Sequence, residues 1–477
     1  MSKENLEKHE LSWSTRPGRE LAHRAWPIAV STLSYSAMSL VGAAFVARVG
    51  AAEVAGVGLA ATAHFAFLCF AIGALRGAKT LTAQALGAGR VADADRYLGV
   101  AVLMALGWGV VSIVLAEVAA PLLAAAAADV AQGGHASTYL RIRALAAPLV
   151  LVTVAMRETR WAEGDARLPM RATVAGNLIN LGLDAVLILG LGWGVAGAAL
   201  ASVAGSAVEC AVLAVPLRAR LARAAWRPAY ARALLAQGTP TGVQFLLEVG
   251  AFLALSVVVA RMGELDGAAH QLVLQLTHVS FLPAHALAEA ASVLVGRAIG
   301  AGRPDLVRPV AVRAMQLGGL YTAACTVGFA LGATPMAQAM GAGDGPLLVV
   351  TRQLIWLAAA FLIADAANVI ARGVLRGVGD AVHPAIVGVV TAWVVTPPLA
   401  AGLGLGLGWG VLGGWLGLTI EIVVGAALLW RRLLGEGWRS VAEVTRARTL
   451  AVGAAAAETD AESRKSNVLL SREVDPA

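Results

Sequence analysis

Two carboxylates stand where carboxylates are costly. Glu248 lies about ten residues into an apolar run over 239–260, and Asp365 lies in another over 350–371, with Asn368 one turn away on the same helical face. Ten residues is about 15 Å of helix, half of a hydrocarbon core about 30 Å thick, so Glu248 falls near the midplane of any bilayer its run crosses. A charge at that depth costs about 2.5–3.5 kcal/mol on insertion scales, so each acid needs a reason. The chemistry open to them is that of an ion site.

Other polar residues inside apolar runs carry weaker signals. Asn177, Asn180 and Asp184 share one helical face and could line a polar cavity or bond neighbouring helices. Glu209 and Glu421 occupy comparable places in two runs, which favours a shared packing role. Arg76 and Glu289 would form a gate pair if their helices meet, whereas Arg76 and Lys79 could instead snorkel to the interface. His270, His278 and His285 crowd one run, where a histidine can relay protons or simply bond a neighbouring helix.

The elements that must hold these residues are membrane helices. The chain has 477 residues, 58% hydrophobic and only 14% charged, with a mean hydropathy of +0.73. A soluble domain carries about a quarter charged residues. Windows of about 20 residues mark twelve spans: 24–47, 53–76, 97–120, 139–156, 172–190, 195–216, 239–260, 267–296, 310–332, 350–371, 384–402 and 410–430. The expected fold is an all-α integral membrane protein.

The sequence also repeats itself. Pro27 to Gly50, ending Val46-Ala47-Arg48-Val49-Gly50, matches Pro240 to Gly263, ending Val259-Ala260-Arg261-Met262-Gly263, and Gly87-Ala88-Gly89-Arg90 matches Gly300-Ala301-Gly302-Arg303 at the same displacement. Gly192-Trp193-Gly194-Val195 returns as Gly408-Trp409-Gly410-Val411. Six spans per half is an even number, so both halves start on the same side and the two six-helix bundles form a parallel repeat. On the first offset Glu248 matches Tyr35 and Arg76 matches Glu289, while Asp365 falls against the apolar neighbourhood of Val150. A framework acid would tend to appear in both halves, whereas an ion site need be built once.

The net charge of +7 is spread over alternate loops rather than pooled on one face, which argues against a nucleic-acid partner. Arg90 and Arg96, Arg157 to Arg171, Arg218 to Arg227, Arg303 and Arg308, Arg372 and Arg376, and Arg431 to Arg439 are assigned to one side, against little beyond Arg48 and Arg261 on the other. The positive-inside rule then puts both termini in the cytoplasm. The expected organisation is a cytoplasmic lead-in at 1–23, a bundle at 24–220, a cytoplasmic linker at 221–237, a second bundle at 238–434 and a polar, solvated, unstructured tail at 435–477. Met1 to Arg19 lacks the apolar core of a signal peptide.

Enzymatic equipment is not visible. Walker, His-Glu-x-x-His, Gly-x-Ser-x-Gly and paired-cysteine motifs are absent, so neither ATP nor a cofactor is expected. Gly87-Ala88-Gly89-Arg90 follows a helix rather than a strand and reads as a turn. Cys69, Cys210 and Cys325 read as small apolar packing residues.

Several stretches together resemble one family, the multidrug and toxic compound extrusion (MATE) transporters, over about 24–430. They are Gly238-Thr239-Pro240-Thr241-Gly242 with Phe245-Leu246-Leu247-Glu248-Val249-Gly250, then Ala268-Ala269-His270-Gln271, and Val295-Gly296-Arg297-Ala298-Ile299-Gly300-Ala301-Gly302. Thr82-Ala83-Gln84-Ala85-Leu86-Gly87-Ala88-Gly89 is the first-half counterpart of the last, and Asp365 with Arg372-Gly373-Val374-Leu375-Arg376-Gly377 resembles the family's tenth span. The resemblance, NorM-like in the seventh and tenth spans, implies a V-shaped pair of bundles. It also implies export of organic, cationic or amphipathic compounds against inward protons or sodium, with the coupling acids mapping onto Glu248 and Asp365.

One position departs from the pattern. Many prokaryotic members carry an Asp in the first span, and Gly42 stands in its place within Val41-Gly42-Ala43-Ala44-Phe45. Arg76 and Lys79 are also unusual beside a path for cations. The candidate cavity lining is Tyr35, Asn177, Asn180, Asp184, Phe245, Gln271, His278 and Asn368, with Phe65, Phe67 and Phe281 as further aromatic contacts. The alternative is a lipid or lipid-linked oligosaccharide flippase, to whose anionic phosphates Arg76, Lys79, Arg141 and Arg143 would be suited; a passive channel would need no localised acids. The expected setting is a monomer in a prokaryotic cytoplasmic membrane, with the lipid bilayer and small-molecule substrates as partners.

Overall fold

The computed structural model describes residues 12–473, which fold into helices with no strand among the described residues. Eleven helices are long and apolar enough to cross a membrane, or twelve when the bent pair Val130–Ala144 and Ala147–Ala162 counts as the fourth span. In chain order the first three are Pro17–Ala47, Ala51–Gly87 and Val91–Ala126. The fifth to eighth are Arg167–Gly190, Gly194–Leu221, Pro228–Ala260 and Glu264–Gly300, and the ninth to twelfth are Pro304–Ala339, Pro346–Val378, Val382–Gly406 and Gly410–Leu434.

These spans outrun their apolar windows. The second continues past residue 76 to Gly87, the tenth past 371 to Val378, and the seventh begins at Pro228, inside the stretch expected as a linker. Hydropathy falls at the first charge, but a helix continues wherever that charge finds a partner. Arg157, Arg160, Arg372 and Arg376, assigned to loops from the sequence, are therefore helical. Proline marks the starts: Pro17, Pro228 and Pro346 sit in the first turns, where the missing N–H leaves nothing unsatisfied. The fourth span bends by 48° where Pro148 begins its second piece and cannot donate to the preceding turn.

The repeat is structural as well as textual. Each Gly-Trp-Gly becomes a tight turn with both glycines at positive φ, between +53° and +71°, and a π-helical stretch precedes each, Ala185–Gly190 and Ala400–Gly406. Gly89 and Gly302 close the second and eighth spans at φ of +72° and +73°.

The two halves meet at the end of the molecule that carries the chain termini. There the second span lies backbone to backbone on the seventh: a Cβ on Gly73 would stand 2.7 Å from the Cα of Gly242, and one on Gly77 3.0 Å from the N of Gly238. Small residues permit this approach, the usual basis of helix association where lipid removes any hydrophobic drive. Gln84 donates to the carbonyls of Gly377 and Val378, and Thr80 donates to that of Arg376.

The last segment corrects an expectation. Instead of an unstructured tail, Arg439–Glu473 is a helix. Trp438 and Ala442, each 3% exposed, pack into the core of the C-terminal half, and Val452 and Ala456 pack on that of the N-terminal half. Between them Arg446 donates to the carbonyl of Gly300 and Thr449 donates to Gln84, so the helix straddles the joint. An amphipathic sequence docks this way when both halves offer it apolar surface at the membrane edge. The side chains of Glu458, Asp460, Glu462, Arg464 and Lys465 lie outside the described residues, as do residues 1–11 of the lead-in.

Burying one large apolar side chain contributes about 1.5–3 kcal/mol. Ending the chain after Leu434 is therefore expected to lower the melting temperature of the detergent-purified protein by several degrees. An unchanged melting curve would show that the helix adds nothing to the joint.

Candidate functional site

Two helices build the first polar centre. Gln244 and Glu248 are four residues apart on the seventh span, and Arg372 and Arg376 are four apart on the tenth, so each pair presents one face. The faces meet as a ladder. Arg372 donates to Glu248 Oε1 at 2.7 Å, Gln244 Nε2 donates to the same oxygen at 2.9 Å, and Arg376 donates to Gln244 Oε1 at 2.9 Å. Gly388 of the eleventh span closes over it, since a Cβ there would stand 2.5 Å from Glu248 Oε1 and 2.6 Å from Gln244 Nε2.

Asp365 lies two turns from Arg372 on the same helix, within electrostatic range of both Arg372 and Glu421. Glu421, on the twelfth span, accepts a hydrogen bond from Thr391 at 3.2 Å. Three acids and two arginines of one half thus converge in a single region. Asn368 is drawn elsewhere: it is buried and donates to the backbone carbonyl of Ile422, which makes it a tie between the tenth and twelfth spans.

A second centre joins the halves. Arg76 donates to Glu289 at 2.9 Å, and Lys79 bonds the other oxygen of Glu289 while standing 3.2 Å from Glu158. Lys79, Glu289 and Glu158 have side chains no more than 4% exposed, so Lys79 does not snorkel to an interface. His285 Nε2 lies 3.6 Å from Glu289 and belongs to this cluster. Phe245 links the two centres, with the guanidinium carbons of Arg76 and Arg376 at 4.8 and 5.7 Å from its ring centroid.

A third polar seam stays within the first half. Asn177 donates to Ser34 at 2.8 Å and Asn180 to Ser202 at 3.3 Å. Asp184 is buried with Oδ2 3.5 Å from where a Cβ on Gly42 would lie, so a carboxylate of the fifth span borders the place the first span leaves without one. Gln271 and His278 are exposed on the eighth span and join none of these centres, whereas Tyr35, 54% exposed on the first, borders the third seam through Tyr139. His270 accepts from Trp415 at 3.0 Å and packs.

Gln244 and Glu158 do not stand out in the sequence, and Arg372 and Arg376 read there as loop charges rather than as partners of Glu248 and Gln244. The usable signal was the matched spacing of 244 with 248 and of 372 with 376, hidden because the arginines fell just beyond an apolar window.

A sodium ion needs a shell of oxygen donors, as hard cations do. Around Glu248 Oε1 the neighbours present N–H groups instead, and among the described residues no three His, Cys, Asp or Glu side chains are grouped to hold a metal ion. The residues do not fit a bound metal at Glu248.

The MatE family profile matches residues 27–186 and 240–401, one block in each half. The chain belongs to the MATE family. A probable multidrug resistance protein NorM of Bradyrhizobium diazoefficiens is 31% identical over 439 residues, 86% of this chain and 91% of that protein. One of the same description from Rhodopseudomonas palustris is 31% identical over 429 residues, 85% and 90% of the two chains.

Among solved structures, an outward-facing multidrug resistance MATE transporter superposes on this MATE protein with a TM-score of 0.82 at 20% identity, covering 91% of this chain and 96% of its own. A MOP-superfamily transporter from Pyrococcus furiosus, described as having a binding pocket of reverse polarity, gives 0.80 at 20% identity, covering 92% and 97%. At these identities the likeness is one of fold.

In this MATE protein the inter-half cluster yields a test. Removing one member of a buried ion cluster costs about 3–5 kcal/mol because the others are left unbalanced. Glu289→Gln is expected to melt well below wild type in detergent, and Lys79→Met added to it is expected to recover part of the loss. A Glu289→Gln variant that melts like wild type would show that the cluster does not hold the halves.

Proposed function

We propose that this MATE protein exports amphipathic organic compounds across a prokaryotic cytoplasmic membrane by antiport against an inward cation, with Glu248 and Asp365 as the coupling carboxylates. The observation that carries this is the convergence of Glu248, Asp365 and Glu421 in one half, matched in the other by Tyr35 and apolar residues at the first two positions. Relatives described as multidrug resistance proteins support the substrate class.

The arginine-rich loops orient the joined end toward the cytoplasm. With Arg76, Lys79, Glu289, Glu158 and the C-terminal helix holding that end together, the present state is the outward-facing one. An external cation neutralises the coupling acids, which weakens their hold on a cationic substrate and frees it outside. The halves then rock about the joint, the cation leaves inward, and the acids are restored for the next substrate.

The flippase reading loses its footing. Three of its four basic residues already have acids of their own: Arg76 and Lys79 bind Glu289, and Arg141 stands 3.3 Å from Glu117.

Glu248→Gln keeps the size of the side chain and removes its charge. In proteoliposomes it is expected to reduce ion-driven efflux of ethidium at least tenfold while insertion and gel-filtration profile stay unchanged. Efflux at the wild-type rate would reject Glu248 as a coupling group.

A further inference from the structure

We propose that Arg372 is the resident counter-cation of Glu248 and thereby selects the coupling ion, leaving the proton as the cation that exchanges and closing the site to sodium. This rests on the antiport reading above. Glu248 Oε1 is closely surrounded. Arg372 Nη1 stands 2.7 Å away, Gln244 Nε2 2.9 Å away, and the backbone of Gly388 covers a third direction. Both side-chain neighbours turn N–H groups toward the oxygen, the polarity that a metal cation would also have to present.

A guanidinium has five N–H donors and no acceptor, so Arg372 cannot turn an oxygen-like lone pair toward a metal. A sodium ion binding Glu248 would have to displace it or sit beside it, cation against cation, with no oxygen shell to repay the loss of water. A proton also gives up the pairing with Arg372, but it needs no space beside the guanidinium and no oxygen shell. It adds to one carboxylate oxygen, forms a covalent O–H, and needs no coordination shell. Glu248 and Arg372 have side chains 26% and 16% exposed, so water and a proton can reach the pair.

The same arrangement gives antiport its sign. When Glu248 takes a proton from the outer solution, the ion pair is lost and Arg372 becomes an unpaired positive charge. Its Nε is already buried without a hydrogen-bond partner, and the acids left within electrostatic range of it are Asp365 and Glu421. A cationic substrate nearby is then repelled and leaves. When the proton departs on the inner side, Glu248 pairs with Arg372 again, the guanidinium is masked, and a new cation is tolerated. The charged groups near this pair are Asp365 and Arg376 on the tenth span and Glu421 on the twelfth, with Arg76 and Glu289 of the joint facing Arg376. Arg376 is engaged with Gln244.

The test reads ion binding directly, apart from transport. Binding of ²²Na⁺ to detergent-purified protein is measured for wild type, Glu248→Gln, Arg372→Ala, Arg372→Gln and the double variant Arg372→Gln with Glu248→Gln. The expected result is no difference between wild type and Glu248→Gln, at least tenfold more bound Na⁺ in Arg372→Gln or Arg372→Ala, and loss of that gain in the double variant. Either single variant suffices should the other fail to fold, as judged by gel filtration.

In proteoliposomes loaded with ethidium, wild type should respond to an imposed pH gradient and not to a Na⁺ gradient, and the Arg372 variant should acquire a response to Na⁺. Arg372→Lys, which keeps the charge, should remain unresponsive to Na⁺. Glu248-dependent Na⁺ binding by wild type, or no gain on removing Arg372, would overturn the proposal while leaving antiport standing. Wild-type ethidium efflux driven by neither gradient would overturn the antiport reading itself.

Discussion

The molecule depends on a group of charges that has been taken out of water at the joint between its halves. Lys79 and Arg76 from the second span and Glu289 from the eighth are almost wholly buried together, with Glu158 and His285 at their edge. None of these groups is stable alone at that depth, so each half is a poor structure without the other. An ion cluster of this kind contributes modest net stability, because desolvation offsets most of the attraction, but it penalises any arrangement that separates its members. It therefore specifies which faces meet and in what register.

Close approach at the same level makes the cluster reachable. Gly73 against Gly242 and Gly77 against Gly238 allow the second and seventh spans to touch along their backbones. Side chains as short as Glu289 can then bridge two halves without stretching. The C-terminal helix adds a second attachment, anchored by Trp438 on one half and Val452 on the other. Joined at one end, the pair of bundles has a natural pivot there, and Glu248 and Arg372 of the C-terminal half lie just beyond it.

Asymmetry between the halves locates the chemistry. The shared turns at Gly192 to Gly194 and Gly408 to Gly410 show two bundles built on one plan, down to the π-helical stretch before each turn. Against that background the Glu248, Arg372, Gln244 and Arg376 ladder belongs to one half only, while the other half offers an amide and carboxylate seam around Asp184. Phe245, flanked by Arg76 and Arg376, is the contact through which the ladder and the joint touch.

Much of this was legible in the chain itself. Apolar runs of membrane length, the internal repeat, the glycine turns and the placement of Glu248 and Asp365 are properties of composition and spacing, which are local or periodic and so survive in one dimension. The displacement that aligns the halves even set Arg76 against Glu289, which stand in contact. Tertiary structure alone decided the partners: Arg372 reaches Glu248 across 124 residues, Lys79 reaches Glu289 across 210, and the tail folds because two halves offer it one surface. Such pairings are set by the rotation and height of one helix against another, and these arise only when whole faces pack. A hydropathy window sees an arginine as the end of a span, whereas the packed protein gives that arginine an acid and lets the helix run on.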